Sequence, residues 1–262
     1  QFVAFLDIGN DQVCGIIETG NIYIYSVSSQ KMIASYYLNE KDIICATYSF
    51  SNNLLIVSCM KKVFAFNLRT REVFSTALDC MITSLLMIDS KTLFCGGANG
   101  FVEVRNFPYL QLKSTSLFYN TFHSDNGHRV PLRDTYLSTR QLFENPTCVK
   151  KLDFCSRREI VLSLSVCGEI FVWDKTGKPL SRINIPFGAS CACFCNGTGS
   201  ILISSLNLLF QIDWQVLYKK QLLPIQTQLD DFDLRVDSFD MKTVNMRVPP
   251  IIQTVSMSER YI

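Results

Sequence analysis

Short apolar runs separated by small polar clusters follow one another along most of the chain. Residues 43–79 show the pattern most clearly, with the runs ICATYSF, NLLIVSCM, KKVFAFNL and EVFSTAL divided by turn-forming residues. Runs of this length with polar punctuation predict β-strands joined as an antiparallel meander. The runs are apolar on both faces instead of alternating, which predicts sheets that are covered on both sides.

One strand motif recurs five times along the chain. The stretch GEIFVWDK, residues 168–175, is the clearest copy, and four weaker copies each place one residue at the position of Trp173. The equivalent residues are Tyr25, Phe66, Arg105, Trp173 and Ile212, at intervals of 41, 39, 68 and 39. A period of about 40 residues with four strands in each unit is that of a propeller blade, and the long interval is one blade plus an insert.

The sequence therefore predicts an all-β fold, a β-propeller of four-stranded antiparallel blades. Five blades are expected, at about residues 2–39, 43–79, 81–117, 147–186 and 189–223. An insert, residues 118–146, separates the third and fourth blades, and residues 224–262 form an acidic and aromatic C-terminal extension.

Gly168, Trp173 and Asp174 carry a resemblance to the WD40-repeat β-propeller family, which covers residues 2–223 apart from the insert. In that family the Trp and the Asp belong to a hydrogen-bonded network within the blade, so the resemblance implies a structural role for these three residues. The other copies depart from the pattern, and the one Gly-His pair, residues 127–128, lies 20 residues before the first strand of its blade. The family most often closes with seven blades, so we expect further blades upstream of Gln1.

Within the family, residues 82–112 look most like a blade from the carboxy-terminal propeller of BEACH-domain proteins, which act in membrane trafficking. A ciliary or cytoskeletal scaffold is an alternative, because large filament-bound assemblies use many divergent propellers. The resemblance to the WD40 family implies a rigid platform for protein partners. The expected function is a non-catalytic protein-protein interaction scaffold within a larger multidomain protein or assembly.

Charge and composition narrow the partners and the compartment. The 25 basic and 23 acidic residues nearly balance and are scattered, which argues against a nucleic-acid partner. No apolar run is long enough to span a bilayer and the first residues do not resemble a signal peptide, so direct membrane insertion is not expected. Many of the 11 cysteines lie in predicted strands as small apolar residues, which favours an intracellular, cytoplasmic protein.

Cys191, Cys193 and Cys195 are the most suggestive candidate metal ligands, because a strand places all three thiols on one face. Residues i and i+2 of a strand lie about 6.6 Å apart, whereas thiolates that share a zinc ion approach to roughly 4 Å. We therefore expect core packing at these positions, and neither a metal nor a cofactor. Residues 197–200 are expected to form a turn, not a phosphate cradle, because a strand and not a helix follows them.

Both histidines, His123 and His128, lie in the insert together with Asp125. An imidazole beside a carboxylate can act as a catalytic base or a metal ligand. The surrounding segment is typical of a solvated loop and offers no third ligand at a defined spacing, so no catalytic residue is predicted. An enzyme or small-molecule binder that uses the propeller funnel is the competing interpretation.

The insert and the tail are the predicted partner-binding segments. Arginine with aromatic residues is the composition of interface hot spots, and the insert residues of this kind are Phe122, Arg129, Arg133, Tyr136, Arg140 and Phe143. A flexible connection or a distorted extra blade is the alternative. In the tail, Phe232 and Phe239 lie among aspartates, which fits an edge strand on the propeller rim or on a partner's sheet, and equally a solvated tail.

Overall fold

The computed structural model describes residues 1–60, 62–78, 80–117, 148–184, 189–195, 198–205, 208–212, 233–235 and 242–243. Within these ranges all regular secondary structure is β-strand. The chain divides into two compact units, Gln1–Cys148 and Val149–Ile262. Three sheets lie in the first unit and two in the second.

Each sheet of the first unit has four antiparallel strands in sequence order. The first sheet contains β1 (Phe2–Gly9), β2 (Gln12–Ile17), β3 (Asn21–Ser26) and β4 (Lys31–Tyr37). The second contains β5 (Ile43–Ser49), β6 (Leu54–Cys59), β7 (Lys62–Asn67) and β8 (Val73–Ala77). The third contains β9 (Ile82–Met87), β10 (Thr92–Gly97), β11 (Phe101–Asn106) and β12 (Gln111–Leu117).

The second unit adds two sheets that each recruit a short strand from the C-terminal extension. The fourth sheet contains β13 (Val149–Cys155), β14 (Ile160–Ser165), β15 (Ile170–Asp174) and β16 (Pro179–Asn184), and β20 (Asp233–Arg235) pairs with β16 in parallel. The fifth contains β17 (Cys191–Phe194), β18 (Ile201–Ser205), β19 (Leu208–Ile212) and β21 (Lys242–Thr243). The strand β21 is antiparallel to β19.

The prediction of an all-β protein built from four-stranded antiparallel sheets is confirmed, and the architecture is consistent with a β-propeller-like fold. The fourth and fifth sheets each add to the expected pattern. The fourth has β20 as a fifth strand, parallel to β16. In the fifth sheet the fourth position is held by residues 242–243 of the extension, and residues 213–223, where the sequence places a fourth strand, lie outside the described residues.

Both faces of the second sheet are buried within the first unit. On one face, Leu55 and Phe66 belong to an apolar cluster with Ile24 of the first sheet. On the other, Ile56 belongs to a cluster with Leu93 of the third sheet. Burial of each such side chain contributes about 1.5–3 kcal/mol to folding. The continuous apolar runs of the sequence are therefore the signature of sheets packed on both sides.

In the first, third and fourth sheets, a glycine with a positive φ precedes the third strand. Gly20 has a φ of 88°, and a Cβ atom there would lie 2.1 Å from the carbonyl oxygen of Glu40. Gly100 and Gly168 occupy the corresponding turns with φ values of 84° and 89°. A residue with a side chain is strained in this conformation, so the turn glycine of the repeat follows from geometry.

Trp173 and Asp174 have distinct structural tasks in the fourth sheet. Trp173 is fully buried, and its indole Nε1 donates a hydrogen bond of 2.8 Å to Ser163 Oγ on the neighbouring strand. Asp174 closes the following turn, because its Oδ1 accepts hydrogen bonds from the backbone N–H groups of Thr176 (2.8 Å) and Lys178 (2.9 Å). The motif thus joins one core contact to one turn.

All 11 cysteines are free thiols, and most are buried. Burial raises the pKa of Cys14 to about 12. Burial also raises the pKa of Cys45 to about 12, against the opposing effect of its hydrogen bond with Ser58. These thiols remain protonated in the folded state and pack as small apolar groups, as the sequence analysis expects.

The raised pKa of Cys14 predicts a loss of stability in alkali. The unfolded chain releases this proton near pH 9 and the folded chain only near pH 12, so the contribution is complete below pH 9 and is lost as the pH rises from 9 to 12. Above pH 9, the unfolding free energy of the wild type should fall by about 1.4 kcal/mol per pH unit because of Cys14. The Cys14→Ala variant should lack this part of the fall. Urea unfolding under reducing conditions between pH 7 and pH 11 measures this slope. Ile24→Val, a core change without a titratable group, should leave the slope as it is.

The burial of Trp173 predicts a large cost for its removal. Trp173→Ala should lower the free energy of unfolding by about 3–5 kcal/mol, because a buried aromatic side chain leaves a cavity. Tyr25 holds the equivalent position in the first sheet and is 37% exposed, so Tyr25→Ala should cost less than about 1.5 kcal/mol. Denaturant titration followed by circular dichroism compares the two variants. If both variants lose the same unfolding free energy, the exposed fraction of the side chain does not determine its contribution to stability at this position.

Candidate partner-binding surface

The residues that the sequence analysis selects for partner binding lie outside the described residues. In the insert these are Phe122, Arg129, Arg133, Tyr136, Arg140 and Phe143, and in the tail Phe232 and Phe239. His123, Asp125 and His128 lie outside as well. Their proposed roles stay predictions. Between the two tail phenylalanines, the backbone of Asp233–Arg235 adds a parallel strand to the outer edge of the fourth sheet, with Asp233 opposite Arg182.

An arginine holds the position of Trp173 in the third sheet. Arg105 lies opposite Leu93 in the strand pairing just as Trp173 lies opposite Val161. Its side chain is buried, with only 5% of the residue exposed, and Glu103 two residues earlier on the same strand is 6% exposed. Charged side chains are rarely buried to this degree unless they are paired.

The Glu103 carboxylate is the partner of Arg105. Arg105 Nη2 lies 2.7 Å from Glu103 Oε2, and Arg105 Nε donates a hydrogen bond of 2.9 Å to the same oxygen. The Cys80 thiol approaches the other carboxylate oxygen at 3.9 Å. Beneath the pair, burial raises the pKa of the Cys95 thiol well above its ordinary value, and the Arg105 charge opposes that shift. The guanidinium and the carboxylate thus satisfy each other inside an apolar region.

The same guanidinium holds the turn between β11 and β12. Arg105 Nη1 donates a hydrogen bond of 3.0 Å to the carbonyl oxygen of Leu110. Leu110 has a φ of 59° and is fully buried, and Phe107 at the start of the turn is buried in the same apolar cluster. Two buried side chains and one buried hydrogen bond therefore anchor this turn to the apolar core.

Tyr109 lies at the tip of this anchored turn and is 69% exposed. Its ring meets that of Phe74, on strand β8 of the second sheet, edge to face with 6.3 Å between centroids. Leu112, just after the turn, is also exposed. We call Phe74, Tyr109 and Leu112 the Tyr109 patch. It presents an aromatic side chain, with apolar neighbours, on a rigid support, which is the composition of a binding hot spot.

The sequence contains one indication of this site, although the repeat alignment alone does not show what Arg105 and Glu103 do. The alignment places Arg105 at a core position, and Glu103 lies two residues away on the same face of the strand. Opposite charges at i and i+2 of an otherwise apolar strand predict a buried ion pair. The sequence pattern does not predict the hydrogen bond from Arg105 to the Leu110 carbonyl oxygen, because that contact depends on the geometry of the turn.

The three cysteines of the fifth sheet pack in different ways. Cys193 belongs to an apolar cluster with Leu202 and Leu209 that Cys195 contacts, and burial raises the pKa of Cys193 to about 11. Cys191 Sγ instead lies 3.7 Å from the Nζ atom of Lys151. Among the described residues, no group of three or more His, Cys, Asp or Glu side chains is arranged to hold a metal ion. The same residues include no helix that is long and apolar enough to cross a membrane.

The buried ion pair predicts strongly coupled mutations. Arg105→Met or Glu103→Leu alone should cost about 3–5 kcal/mol, because each leaves a buried charge without its partner. The double variant should cost less than either single variant. The exposed pair Lys62 and Glu40, with 3.2 Å between Nζ and Oε1, is the matched control, and its alanine variants should couple by less than about 1 kcal/mol. Additive costs at Arg105 and Glu103 in a double-mutant cycle would contradict the pairing.

Comparison with known proteins finds structures with a similar fold and no matching family. No family model matches the sequence, and no curated protein matches it. Solved structures with a similar fold include Sqt1 of Saccharomyces cerevisiae, with a TM-score of 0.62 at 14% identity. The computationally designed protein Ika8 is also similar, with a TM-score of 0.58 at 15% identity.

These alignments cover most of this chain but only part of each known structure. They cover 82% of this chain and 59% of Sqt1, and 81% of this chain and 58% of Ika8. The chain therefore spans less than two thirds of the length of both. At this level of identity the likeness is one of fold alone, and it is consistent with a β-propeller-like fold.

Proposed function

We propose that this chain is a non-catalytic protein-interaction module built on a WD40-like β-propeller. The observation that carries the proposal is the Tyr109 patch, in which a tyrosine that is 69% exposed projects from a turn fixed by a buried ion pair. A rigid aromatic side chain loses little conformational entropy when a partner covers it, which is why tyrosine is enriched among hot spots.

The cost of the ion pair supports an interaction role for the turn. A buried ion pair is often no more stabilising than apolar residues of the same volume, and the equivalent position elsewhere holds Trp173 or Phe66 without any charge. Arg105 accordingly does something that an aromatic residue cannot. It reaches the carbonyl of Leu110 and so orients the residue before it, Tyr109. In this proposal Arg105 and Glu103 are positioning residues, and Tyr109 makes the contact.

The wider setting of the module is part of the same proposal. The blades visible in the sequence belong to a larger propeller, which in this family most often has seven blades, within a multidomain protein or multiprotein assembly. The partners are proteins, and the compartment is the cytoplasm. The partial coverage of Sqt1 and Ika8 supports the larger propeller, and the 11 free thiols support a reducing compartment.

The Tyr109 patch is tested by comparing the partners that wild type and variants retain. The wild-type protein, the Tyr109→Ser variant and the Leu112→Ser variant are each purified from the natural host cells. The proteins that co-purify with each of them are quantified by mass spectrometry. A hot-spot tyrosine worth about 2 kcal/mol predicts that its partner binds roughly 30-fold more weakly. Val27→Ser removes a similarly exposed apolar side chain from a turn of the first sheet and is the control. An unchanged partner list with both test variants overturns the proposed role of the patch.

The positioning role has a separate readout. The double variant Glu103→Leu and Arg105→Met removes the charges but also the hydrogen bond to Leu110. Its stability should exceed that of either single variant, whereas its partner binding should fall with that of Tyr109→Ser. Full binding by a stable double variant would mean that the ion pair serves the core and not the patch.

A further inference from the structure

Two consecutive lysines of the fourth sheet reach the same part of the fifth sheet, within the second unit. Lys150 Nζ donates a hydrogen bond of 3.3 Å to the carbonyl oxygen of Ala189, and Lys151 Nζ lies 3.7 Å from Cys191 Sγ. Neighbouring residues of a regular strand point to opposite faces. The pairing of β13 with β14 shifts register between Val149 and Lys151, and an irregularity of this kind redirects side chains. Two ammonium groups are therefore gathered near the start of β17.

The Cys191 thiol is buried beside this positive charge, with only 3% of the residue exposed. Burial lowers the pKa of Lys150, and negative charge on Cys191 opposes that shift. Opposite charges attract more strongly where water is excluded. The two lysines therefore favour any form of the Cys191 sulfur that carries negative charge or an acceptor oxygen.

A serine hydroxyl without a hydrogen-bond partner lies on the same face as Cys191. Ser204 is directly opposite Cys191 in the pairing of β17 with β18, so the two Cβ atoms lie about 4.5–5.5 Å apart. Ser204 is fully buried, and within the described part of the chain its Oγ atom has no hydrogen-bond partner. A buried hydroxyl that is left unpaired is unfavourable, and such a group in a folded protein calls for an explanation.

Cys193 provides a contrast on the same strand and the same face. It is 2% exposed, as buried as Cys191, but it packs in an apolar cluster with Leu202 and Leu209. Burial raises the pKa of Cys193 to about 11, although the Lys151 charge opposes the shift. The two thiols thus differ in the chemistry of their neighbours and not in their exposure.

We propose that Cys191 is a site of reversible oxidation by hydroperoxides, and that Lys151 and Ser204 stabilise the oxidised sulfur. With hydrogen peroxide, one peroxide oxygen bonds to Sγ as the O–O bond breaks, and the departing hydroxide takes the thiol proton and leaves as water. The sulfur loses two electrons, the peroxide gains them, and the product is a sulfenic acid. Its oxygen accepts hydrogen bonds from the Lys151 ammonium and from the Ser204 hydroxyl, which thereby gains a partner.

The sulfenic acid is the reversible step of cysteine oxidation. A small thiol forms a mixed disulfide with Cys191 and releases water, and a second thiol then restores the Cys191 thiol. Excess peroxide instead carries the sulfur on to the sulfinic acid, which thiols do not reduce. This inference goes beyond the proposed interaction role and shares no residue with the Tyr109 patch, so either can fail without the other.

Oxidation of the natural protein by hydrogen peroxide tests the choice of cysteine. Protein purified under reducing conditions is treated for increasing times and then unfolded in the presence of dimedone, which labels sulfenic acids and not thiols. Cleavage by chymotrypsin after Phe187 and Phe194 isolates Cys191 and Cys193 in one short peptide, and fragment ions assign the label. At early times Cys191 should carry roughly tenfold more label than Cys193, as one hydrogen bond to a charged group predicts. Equal labelling, no label on Cys191, or a disulfide there in place of the label overturns the proposal.

Substitutions test the two stabilising groups. Ser204→Ala should reduce the early labelling of Cys191 roughly tenfold, while its melting temperature should equal or exceed that of the wild type because an unpaired hydroxyl is removed. Lys151→Met should reduce the labelling in the same way, and Lys151→Arg should restore it. Lys175→Met, which removes an exposed lysine 2.9 Å from Glu159 in the same sheet, is the control and should label as the wild type does.

The stability measurement keeps the test decisive. Loss of the fold would expose all the buried thiols, so it would raise the labelling of Cys193 together with that of Cys191. A folded Ser204→Ala or Lys151→Met variant that is oxidised at Cys191 as fast as the wild type overturns the proposal.

Discussion

Each four-stranded sheet of this protein has two apolar faces, and the need to bury both is the constraint on which the rest of the structure depends. In the first unit the second sheet meets this need with one neighbour on each side. The loss of either neighbour would return several leucine, isoleucine and phenylalanine side chains to water, at about 1.5–3 kcal/mol each. The continuous apolar strands, the buried thiols and the turn glycines all serve this layered packing.

One register position shows how differently the same constraint can be met. Trp173 fills it with a large ring whose indole nitrogen is hydrogen-bonded to Ser163, and Phe66 fills it with a ring that needs no polar partner. Arg105 fills it with a charge that must be neutralised by Glu103, on the same strand and face. The aromatic solutions maximise apolar burial. The arginine buries less apolar surface, but its guanidinium donates a hydrogen bond to the backbone carbonyl of Leu110 in the next turn.

The sequence predicts the strands well because the determining signals are local. Apolar runs, polar turn residues and the glycine before the third strand depend on neighbours within a few positions, and Gly20 is explained by a single close contact with Glu40. The repeat also places Tyr25, Phe66, Arg105 and Trp173 at one position. What it cannot supply is which of these positions is covered, because coverage depends on the presence of a neighbouring sheet and not on the residue type.

The candidate site was harder to predict for a related reason. Tyr109 looks in the sequence like any aromatic residue in a turn, and its significance rests on three contacts of other residues, which bury Phe107 and Leu110 and bring Arg105 to the Leu110 carbonyl. The arginine and aromatic residues of the insert form the more obvious composition for an interface. Composition alone does not say whether a side chain is held in one orientation, and that orientation reduces the entropy lost on binding.

The Tyr109 patch differs from the buried contacts between sheets in the area that it can contribute. Contacts between packed sheets are large and apolar, and they do not exchange readily. Tyr109 projects from a turn beyond the sheet and is supported from below by buried groups. A single projecting ring with few apolar neighbours buries a small area, which suits a partner that binds and leaves.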